Sequence, residues 1–339
     1  MRHSVVSVLL LFLLSCNDNT VIPPGGTDVS AGDVLVINEG GFQKGNASIG
    51  LYNAATNTYT DKVYKNTNGS VIGDVLQTMV VLDGNYWTVV NNSGKIVILD
   101  SADLSQKYEI TGFKSPRYVV FNKEKTKAFV SDLYADEIAV VNTQTYKIDG
   151  FIPLDGWTDQ MAIIGDNLYV ANRERPFVFV IDAVANTVVD SIAIAHNPNS
   201  LLKLNNGYLA VMCEGRLGSS DMAQYQTIHP DTRKVVKEFS FEQGVKPSLL
   251  RQSPITGNIY VAFKGIHYIH PVDHTYQGKV IDLPESNIYG FDIDEATGNF
   301  YVSDALDYVK KSEVRVYTNG SKLKQQFTAG VICNGFVFR

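Results

Sequence analysis

A short pattern of apolar strands recurs along this chain, and the repeat limits the possible folds more than any other feature. In each unit, an apolar strand ends at Asn or Asp, and a second apolar strand follows after a few polar residues. Residues 128–132 with 137–142, and residues 168–172 with 178–182, show the pattern best. We count seven units at a period of roughly 40–47 residues, the size of a four-stranded propeller blade. The repeat therefore predicts an all-β fold, a seven-bladed β-propeller.

The two ends of the repeat complete each other. Residues 34–38 match the second strand of a unit, although no first strand precedes them. Residues 331–338 match a first strand, and no second strand follows them. We predict that this C-terminal strand closes the first blade, because closure removes the exposed strand edges of an open array. Turns with Gly and Asn at 83–85, 205–207 and 256–258 are typical of hairpins between first and second strands.

Residues 1–16 have the pattern of a lipoprotein signal peptide. A basic start precedes an apolar run at 5–14, which is too short to span a bilayer, and the sequence LLSC ends the segment at Cys16. This ending matches the bacterial lipobox and predicts that Cys16 carries the lipid. The alternative is a plain secretory signal with a coincidental cysteine. Residues 17–32 are polar and turn-rich, so we expect a flexible tether before a propeller at 33–339.

Composition and motifs argue against several classes of protein. The net charge is −6 without a basic cluster, which argues against a nucleic-acid partner. No G-x-S-x-G motif is present, and His267 and His270 lie an odd number of residues apart on an expected strand, so they point to opposite faces. We expect no enzyme, no metal site and no cofactor. Cys213 and Cys333 are expected to be buried, unpaired thiols in different blades.

The second strands end at equivalent positions, which are expected to form a ring on one face of the propeller. The ring consists of Asn38, Asn91, Asp132, Asn172, Cys213, Phe263 and Asp304. Five of the seven are Asn or Asp, and a ligand has no seven-fold symmetry. The regularity therefore favours turn capping by short polar side chains over ligand contacts. A Ca²⁺ site formed by Asp132, Asp304 and Glu39, as in propeller hydrolases, is the alternative for these carboxylates.

The loops after the second and fourth strands of each blade converge on the same face, and their residues vary more. Aromatic rings beside guanidinium and amide groups suit a large, flat and partly polar ligand. We predict that the ligand contacts Phe42, Gln43, Arg117, Asp132, Tyr134, Trp157, Asp159, Arg173, Arg216, Lys246, Tyr289, Asp304 and Tyr308. For Trp157 and Tyr289, packing between blades is the alternative.

Several stretches of the chain resemble a known family. They are residues 38–42 (NEGGF), 73–79 (GDVLQTM), 130–135 (VSDLYA) and 156–161 (GWTDQM). These stretches are similar to the BtuG-like surface lipoproteins of gut anaerobes, seven-bladed propellers of the YVTN/YncE-like type that bind cobalamin. The resemblance extends from the lipobox to the last strand. It supplies no short cobalamin signature that would assign single residues.

The resemblance implies a lipid-anchored protein on the outer face of the outer membrane. Such a protein would bind cobalamin (vitamin B12) or a related corrinoid and deliver it to a TonB-dependent transporter of the BtuB type. A corrin has a rim of amides, which Asn, Gln, Asp and backbone groups would match. It also carries a nucleotide with a phosphate, which Arg or Lys would match. Two alternatives stay open: a propeller lipoprotein that binds a glycan or peptide for another transporter, and a Ca²⁺-dependent lactonase-like hydrolase.

Overall fold

Seven antiparallel sheets of four strands each form the fold, so the predicted seven-bladed β-propeller is confirmed. The computed structural model describes residues 32–216, 218–319 and 321–339. The predicted signal peptide, its Cys16 and nearly all of the predicted tether lie outside these residues. Helical structure in the described part is limited to a six-residue helix, α1 (Val63–Asn68), and a 3-10 turn (Asn91–Ser93). Neither of these helices is long and apolar enough to cross a membrane.

The strands of each blade run in order from the central channel outward, except in the first blade. That blade begins with β1 (Asp33–Asn38), β2 (Ser48–Asn53) and β3 (Thr58–Thr60). The second to fourth blades are β4 (Leu76–Leu82), β5 (Asn85–Val90), β6 (Lys95–Asp100) and β7 (Gln106–Thr111); β8 (Pro116–Phe121), β9 (Lys127–Asp132), β10 (Glu137–Asn142) and β11 (Lys147–Pro153); and β12 (Thr158–Ile164), β13 (Asn167–Asn172), β14 (Phe177–Asp182) and β15 (Thr187–Ala193).

The remaining strands follow the same order and end with one that returns to the first blade. The fifth to seventh blades are β16 (Pro198–Lys203), β17 (Leu209–Cys213), β18 (Gln224–His229) and β19 (Lys234–Ser240); β20 (Ser248–Gln252), β21 (Ile259–Ala262), β22 (Gly265–Ile269) and β23 (Tyr276–Asp282); and β24 (Ile288–Ile293), β25 (Phe300–Asp304), β26 (Lys311–Tyr317) and β27 (Leu323–Val331). The last strand is β28 (Cys333–Phe338).

The C-terminal strand closes the ring as predicted. β28 pairs with β1 in antiparallel register and becomes the inner strand of the first blade. The predicted start of this strand at residue 331 was wrong by two residues. Val331 still belongs to β27, and Ile332 reverses the chain at a φ of 54° before β28 begins. Cys333 lies in the first blade and Cys213 in the fifth, and both thiols are buried and unpaired, as expected.

Burial explains why the second and third strands gave the clearest pattern. In β9, all residues but the first are buried, whereas β15 at the outer edge of its blade buries one residue of seven. Neighbouring blades cover both faces of the inner strands, and Phe129 of the third blade shares an apolar cluster with Leu168 of the fourth. Strands covered on both sides have continuous apolar sequences, while outer strands alternate or are polar.

Every inner strand carries one extra residue near its start relative to its partner strand. A β-bulge of this kind bends the strand and re-aims the side chains at the extra residue. In all seven blades the second residue of the inner strand falls within the bulge. We call these residues the bulge ring: Gln77, Arg117, Asp159, Asn199, Leu249, Tyr289 and Asn334.

Candidate ligand-binding face

The bulge ring surrounds one end of the central channel and encloses a cavity of about 350 Å³, which we call the mouth. Six of its seven members line the mouth directly, and the seventh, Asp159, is buried behind them with 2% of its side chain exposed. The other charged residues of the wall are Glu39, Arg173, Glu214, Arg251 and Asp292. A polar cavity with several guanidinium groups is therefore built into the centre of the fold.

Asp159 connects two arginines of the mouth. Its Oδ1 lies 3.4 Å from Nε of Arg117, and its Oδ2 lies 3.3 Å from Nη1 of Arg173. Arg173 also lies 3.6 Å from Glu214, and Arg117 donates a 2.5 Å hydrogen bond to Oε1 of Gln77. A buried carboxylate shared by two guanidinium groups keeps both in fixed orientations, because losing either contact leaves a desolvated charge without full compensation.

Glu39 forms the opposite wall. Its Oε2 accepts a 3.1 Å hydrogen bond from the hydroxyl of Tyr289, and its Oε1 accepts a 3.0 Å bond from the amide of Asn334. Burial raises the pKa of Glu39, and the hydrogen bond from Asn334 and the charge of Arg117 oppose that shift only in part. The neutral form of Glu39 is thus favoured more strongly than that of a carboxyl group in water.

The third guanidinium lies deeper in the channel. Nε of Arg251 contacts Oδ1 of Asp292 at 2.5 Å, and Oδ2 of Asp292 accepts a 2.9 Å bond from the backbone N–H of Phe336. Arg251 also donates to the carbonyl of Leu250 at 2.9 Å. All three arginines of the mouth are therefore held by partners in the protein before any ligand binds. A site held in this way has little side-chain entropy to lose on binding.

Two amide oxygens of the mouth have no such partner. Within the described residues, four buried side-chain polar atoms have no hydrogen bond, and two of them are Oδ1 of Asn199 and Oδ1 of Asn334. The amino groups of both side chains are occupied: Asn199 donates to Glu214 at 2.6 Å, and Asn334 donates to Gln77 O at 2.8 Å. A buried acceptor without a donor is costly, so a ligand N–H at either oxygen would contribute favourably.

Aromatic rings stand around the mouth in two edge-to-face pairs. Tyr134 and Trp157 lie 5.8 Å apart at 90°, and Tyr289 and Tyr308 lie 5.6 Å apart at 84°. Trp157 is 40% exposed and Tyr134 is 58% exposed, so the first pair is free to contact a ligand. Trp157 thus contacts Tyr134 and keeps part of its ring exposed. Phe42, at 63% exposure, is a further exposed ring on the loop that follows β1.

Comparison with known proteins places the sequence in a family. Residues 32–320 match the family described as "Domain of unknown function (DUF5074)". The chain belongs to the DUF5074 family. No curated protein matches this DUF5074 chain.

Solved structures resemble the DUF5074 propeller in fold. A quinonprotein alcohol dehydrogenase-like protein of Bacteroides thetaiotaomicron aligns with a TM-score of 0.71 at 12% identity, over 91% of this chain and 78% of the other. A functionally unknown protein of Desulfotomaculum acetoxidans aligns with a TM-score of 0.67 at 13% identity, over 91% and 98%. Hydrazine synthase of Kuenenia stuttgartiensis aligns with a TM-score of 0.63 at 15% identity, over 74% and 85%. At these identities the likeness concerns the fold alone.

We call the ring at the ends of the second strands the capping ring, because four of its members in the DUF5074 propeller accept backbone N–H groups: Asn38, Asp132, Asn172 and Asp304. Both carboxylate oxygens of Asp132 accept backbone N–H groups, from Lys114 at 2.8 Å and from Tyr134 at 3.1 Å among others. Oδ1 of Asp304 accepts the N–H groups of Asn287 at 3.0 Å and of Leu306 at 2.9 Å. Neither Asp132 nor Asp304 lines the mouth, and both were predicted to be ligand contacts.

The structure brings together some of the other predicted ligand contacts and separates the rest. Four belong to the mouth and its ion pairs, namely Arg117, Asp159, Arg173 and Tyr289. Three stand on the rim, namely Tyr134, Trp157 and Tyr308. Phe42 and Gln43 lie on the loop after β1, Arg216 pairs with Asp221 on an exposed loop, and Lys246 lines a separate cavity.

The Ca²⁺ alternative lacks a coordination geometry. Both carboxylate oxygens of Asp132 accept backbone N–H groups. Oδ1 of Asp304 does the same, while its Oδ2 lies 3.8 Å from Nη1 of Arg315, and Glu39 is hydrogen-bonded inside the mouth. In the part of the chain that the structure describes, no three or more His, Cys, Asp or Glu residues form a group that could hold a metal ion. The three proposed ligands do not converge as a hard cation requires.

Sequence reasoning missed several residues of the mouth. They are Gln77, Gln160, Arg251, Asp292 and Asn334. Gln77 and Asn334 occupy the same position of the inner strand as Arg117 and Tyr289, so aligning that single column of the seven repeats would have found them. Arg251 and Asp292 lie inside β20 and β24, where a strand of this fold is expected to be buried.

Proposed function

We propose that this DUF5074 propeller captures cobalamin or a related corrinoid at the mouth without catalysis, and delivers it to a TonB-dependent transporter of the BtuB type. The observation that carries the proposal is the composition of the wall of the mouth. It combines oriented guanidinium groups with two buried, unpartnered amide oxygens, at Asn199 and Asn334. Such a surface matches a ligand that has many amide groups, because an amide offers both donors and acceptors.

The size of the mouth supports binding across the face rather than within the channel. A corrin with its side chains is broader than a cavity of about 350 Å³. Amide groups on one edge of the ligand would enter the mouth and meet Arg117 and Asn334, while the ring would lie over the rim. There the exposed pair of Trp157 and Tyr134 offers apolar contact to a flat ligand. The fixed ion pairs of the mouth favour tight binding, since little has to be ordered.

The position of the mouth also suits a protein anchored at its N-terminus. The chain enters the fold at Asp33, which lies beside Phe338 at the far end of β28 from Asn334. Phe338 lies four residue steps after Asn334, or roughly 13 Å along the strand. A tether that precedes Asp33 therefore joins the face opposite the mouth. With a lipid at Cys16, the mouth would face away from the membrane and toward incoming ligand.

Titration with cyanocobalamin tests the proposal. The complex is coloured, so bound ligand co-elutes with the protein in gel filtration and absorbs visible light. The chain has two tryptophans; Trp87 is buried within its blade, whereas Trp157 stands on the rim. We expect binding to quench fluorescence from Trp157, and Trp157→Phe to remove most of the quenching. A protein that elutes colourless after incubation with excess cyanocobalamin would contradict cobalamin capture.

Glycan binding is the second candidate, and the exposed aromatic pair favours it. Sugar rings stack on exposed aromatic side chains, and Trp157 with Tyr134 presents such a surface outside the mouth. A glycan bound there would depend on Trp157 and not on Arg117. A corrinoid bound over the mouth would depend on both, so the pair of substitutions Trp157→Ala and Arg117→Ala separates the two candidates.

A further inference from the structure

One blade lacks the loop that the others place on this face. Between β21 and β22 only Phe263 and Lys264 connect the strands, whereas the third blade has four residues at 133–136. Gly265 makes the short turn possible: its φ is 141°, and a Cβ there would collide with the carbonyl of Ile281. The missing loop leaves a cavity of about 530 Å³ beside the mouth.

We call this cavity the notch and define it by Lys246, Phe263, Lys264, His267 and Lys279. It adjoins the mouth, because Ser248 and Ile288 line both cavities. The notch therefore lies next to the mouth, over the sixth blade. Because the other blades have longer connections between their second and third strands, the notch lies on one side of the mouth only.

The charges of the notch differ from those of the mouth. Neither Lys246 nor Lys264 forms an ion pair or a side-chain hydrogen bond with another described residue, while Lys279 contacts Asp282 at 2.5 Å. His267 adds no charge at neutral pH, because burial, with a further contribution from Lys279, lowers its pKa to about 4. Its two ring nitrogens already contact the hydroxyl of Tyr276 and the carbonyl of Phe263. Two ammonium groups are left uncompensated.

The floor of the notch is aromatic. The rings of Phe263 and His267 stack at 3.6 Å between centroids, and Phe241 contacts the edge of Phe263 at 5.4 Å. A cavity with an aromatic floor and two free ammonium groups suits an anionic group that is joined to an apolar or aromatic part. Lysine ammonium groups bind phosphate oxygens as point charges.

We propose that the notch is a subsite for a phosphate group of the same soluble ligand whose body covers the mouth. This inference rests on the proposed function and deepens it, since it assigns a phosphodiester arm to one blade. Lys246 and Lys264 would contact the phosphate, and Phe263 would contact the group attached to it. The shared wall of Ser248 and Ile288 lets one ligand occupy both cavities.

The test compares cobalamin with cobinamide, which has the corrin ring and lacks the nucleotide with its phosphodiester. We expect Lys246→Gln/Lys264→Gln to weaken cobalamin binding by about tenfold and to leave cobinamide binding unchanged. A control pair, Lys123→Gln/Lys203→Gln, removes the same charge from exposed lysines at the opposite face. Equal weakening of both corrinoids, or of neither, would overturn the subsite and leave the proposed function standing.

If neither corrinoid binds the wild-type protein, the proposed function fails. The binding of pyrophosphate then tests the phosphate subsite on its own. Calorimetric binding of pyrophosphate that the double substitution abolishes, and the control pair does not, would support a phosphate subsite for another ligand. Binding unchanged by the double substitution, or no binding, would overturn it. The double substitution could instead weaken binding to phosphatidylglycerol vesicles and leave the binding of corrinoids and pyrophosphate unchanged. That result would assign the lysines to a lipid surface and would also overturn the subsite.

Discussion

The capping ring and the bulge ring each take one residue from every blade and lie on the same face, but their chemistry differs. The capping ring is nearly uniform, and Asn38, Asp132 and Asp304 all accept backbone N–H groups. The bulge ring contains an arginine, an aspartate, a leucine, a tyrosine and three amides, and it encloses a cavity. Equivalent backbone turns favour the same cap, whereas an asymmetric ligand needs different contacts at equivalent positions. Uniformity at equivalent positions therefore marks structure, and variety marks the site.

The largest expected effect is a loss of stability on substitution of a residue of the capping ring. Asp132→Ala removes a buried acceptor for three backbone N–H groups, at Lys114, Ser115 and Tyr134. We expect the free energy of unfolding to fall by about 3 kcal/mol, measured from the shift of the urea midpoint. Cobalamin affinity of the folded variant should stay within about twofold of wild type. An affinity loss without a stability loss would place Asp132 in the ligand site.

The capping function of this ring was predicted from the sequence, although Asp132 and Asp304 were also predicted to contact the ligand. A cap depends on its own turn, so the short polar residue after each apolar strand was sufficient evidence. The strand Glu137–Asn142 was found with correct ends for the same reason, because an uninterrupted apolar sequence between polar turns specifies a doubly covered strand. These features depend on residues that are close together in the chain, so a single sequence is enough to predict them.

The bulge ring was predicted only in part because it depends on pairing between strands. Arg117, Asp159 and Tyr289 were found as unusual residues near a predicted loop, while Gln77 and Asn334 look ordinary in sequence. Their position in the mouth follows from the extra residue in each inner strand, and that register appears only when two strands are aligned. Lys264 was missed because the connection between β21 and β22 is short, and the notch results from that short connection.

The largest expected effect on binding comes from a substitution in the bulge ring. Arg117→Ala removes a guanidinium from the mouth, while Asp159 keeps its contact with Arg173. We expect cobalamin affinity to fall about 30-fold, which corresponds to about 2 kcal/mol, in a titration followed by visible absorbance. The matched control is Arg233→Ala, whose ion pair with Asp190 lies on the opposite face. An equal loss in both variants would mean that overall charge, and not the mouth, determines affinity.

A smaller effect is expected outside both rings. Trp157→Leu keeps an apolar side chain on the rim and removes the aromatic contact with Tyr134. We expect cobalamin affinity to fall about fivefold, or about 1 kcal/mol, with no shift in the urea midpoint. Isothermal titration calorimetry measures the change without the tryptophan signal. An unchanged affinity would restrict the site to the mouth and argue against rim contacts.

The smallest expected effect concerns Glu39, which joins the two rings. It follows the capping residue Asn38 directly and accepts hydrogen bonds from Tyr289 and Asn334 of the bulge ring. Because burial raises its pKa in the folded state, its contribution to stability is fully present below the unfolded pKa and decreases as the pH rises through the folded value.

Glu39→Gln removes this titration, so between pH 4 and pH 8 the stability of wild type relative to the variant should decrease as the pH rises above the ordinary pKa of a carboxyl group and through the raised folded value. Urea midpoints at a series of pH values give the difference, in which the other titrating groups cancel. The control Glu295→Gln removes one carboxylate from an exposed turn on the opposite face. A difference between wild type and Glu39→Gln that does not change with pH would show that Glu39 is charged throughout this range. In that case the wall of the mouth would carry a full negative charge opposite Arg117, and the mouth would favour cationic groups more than amides.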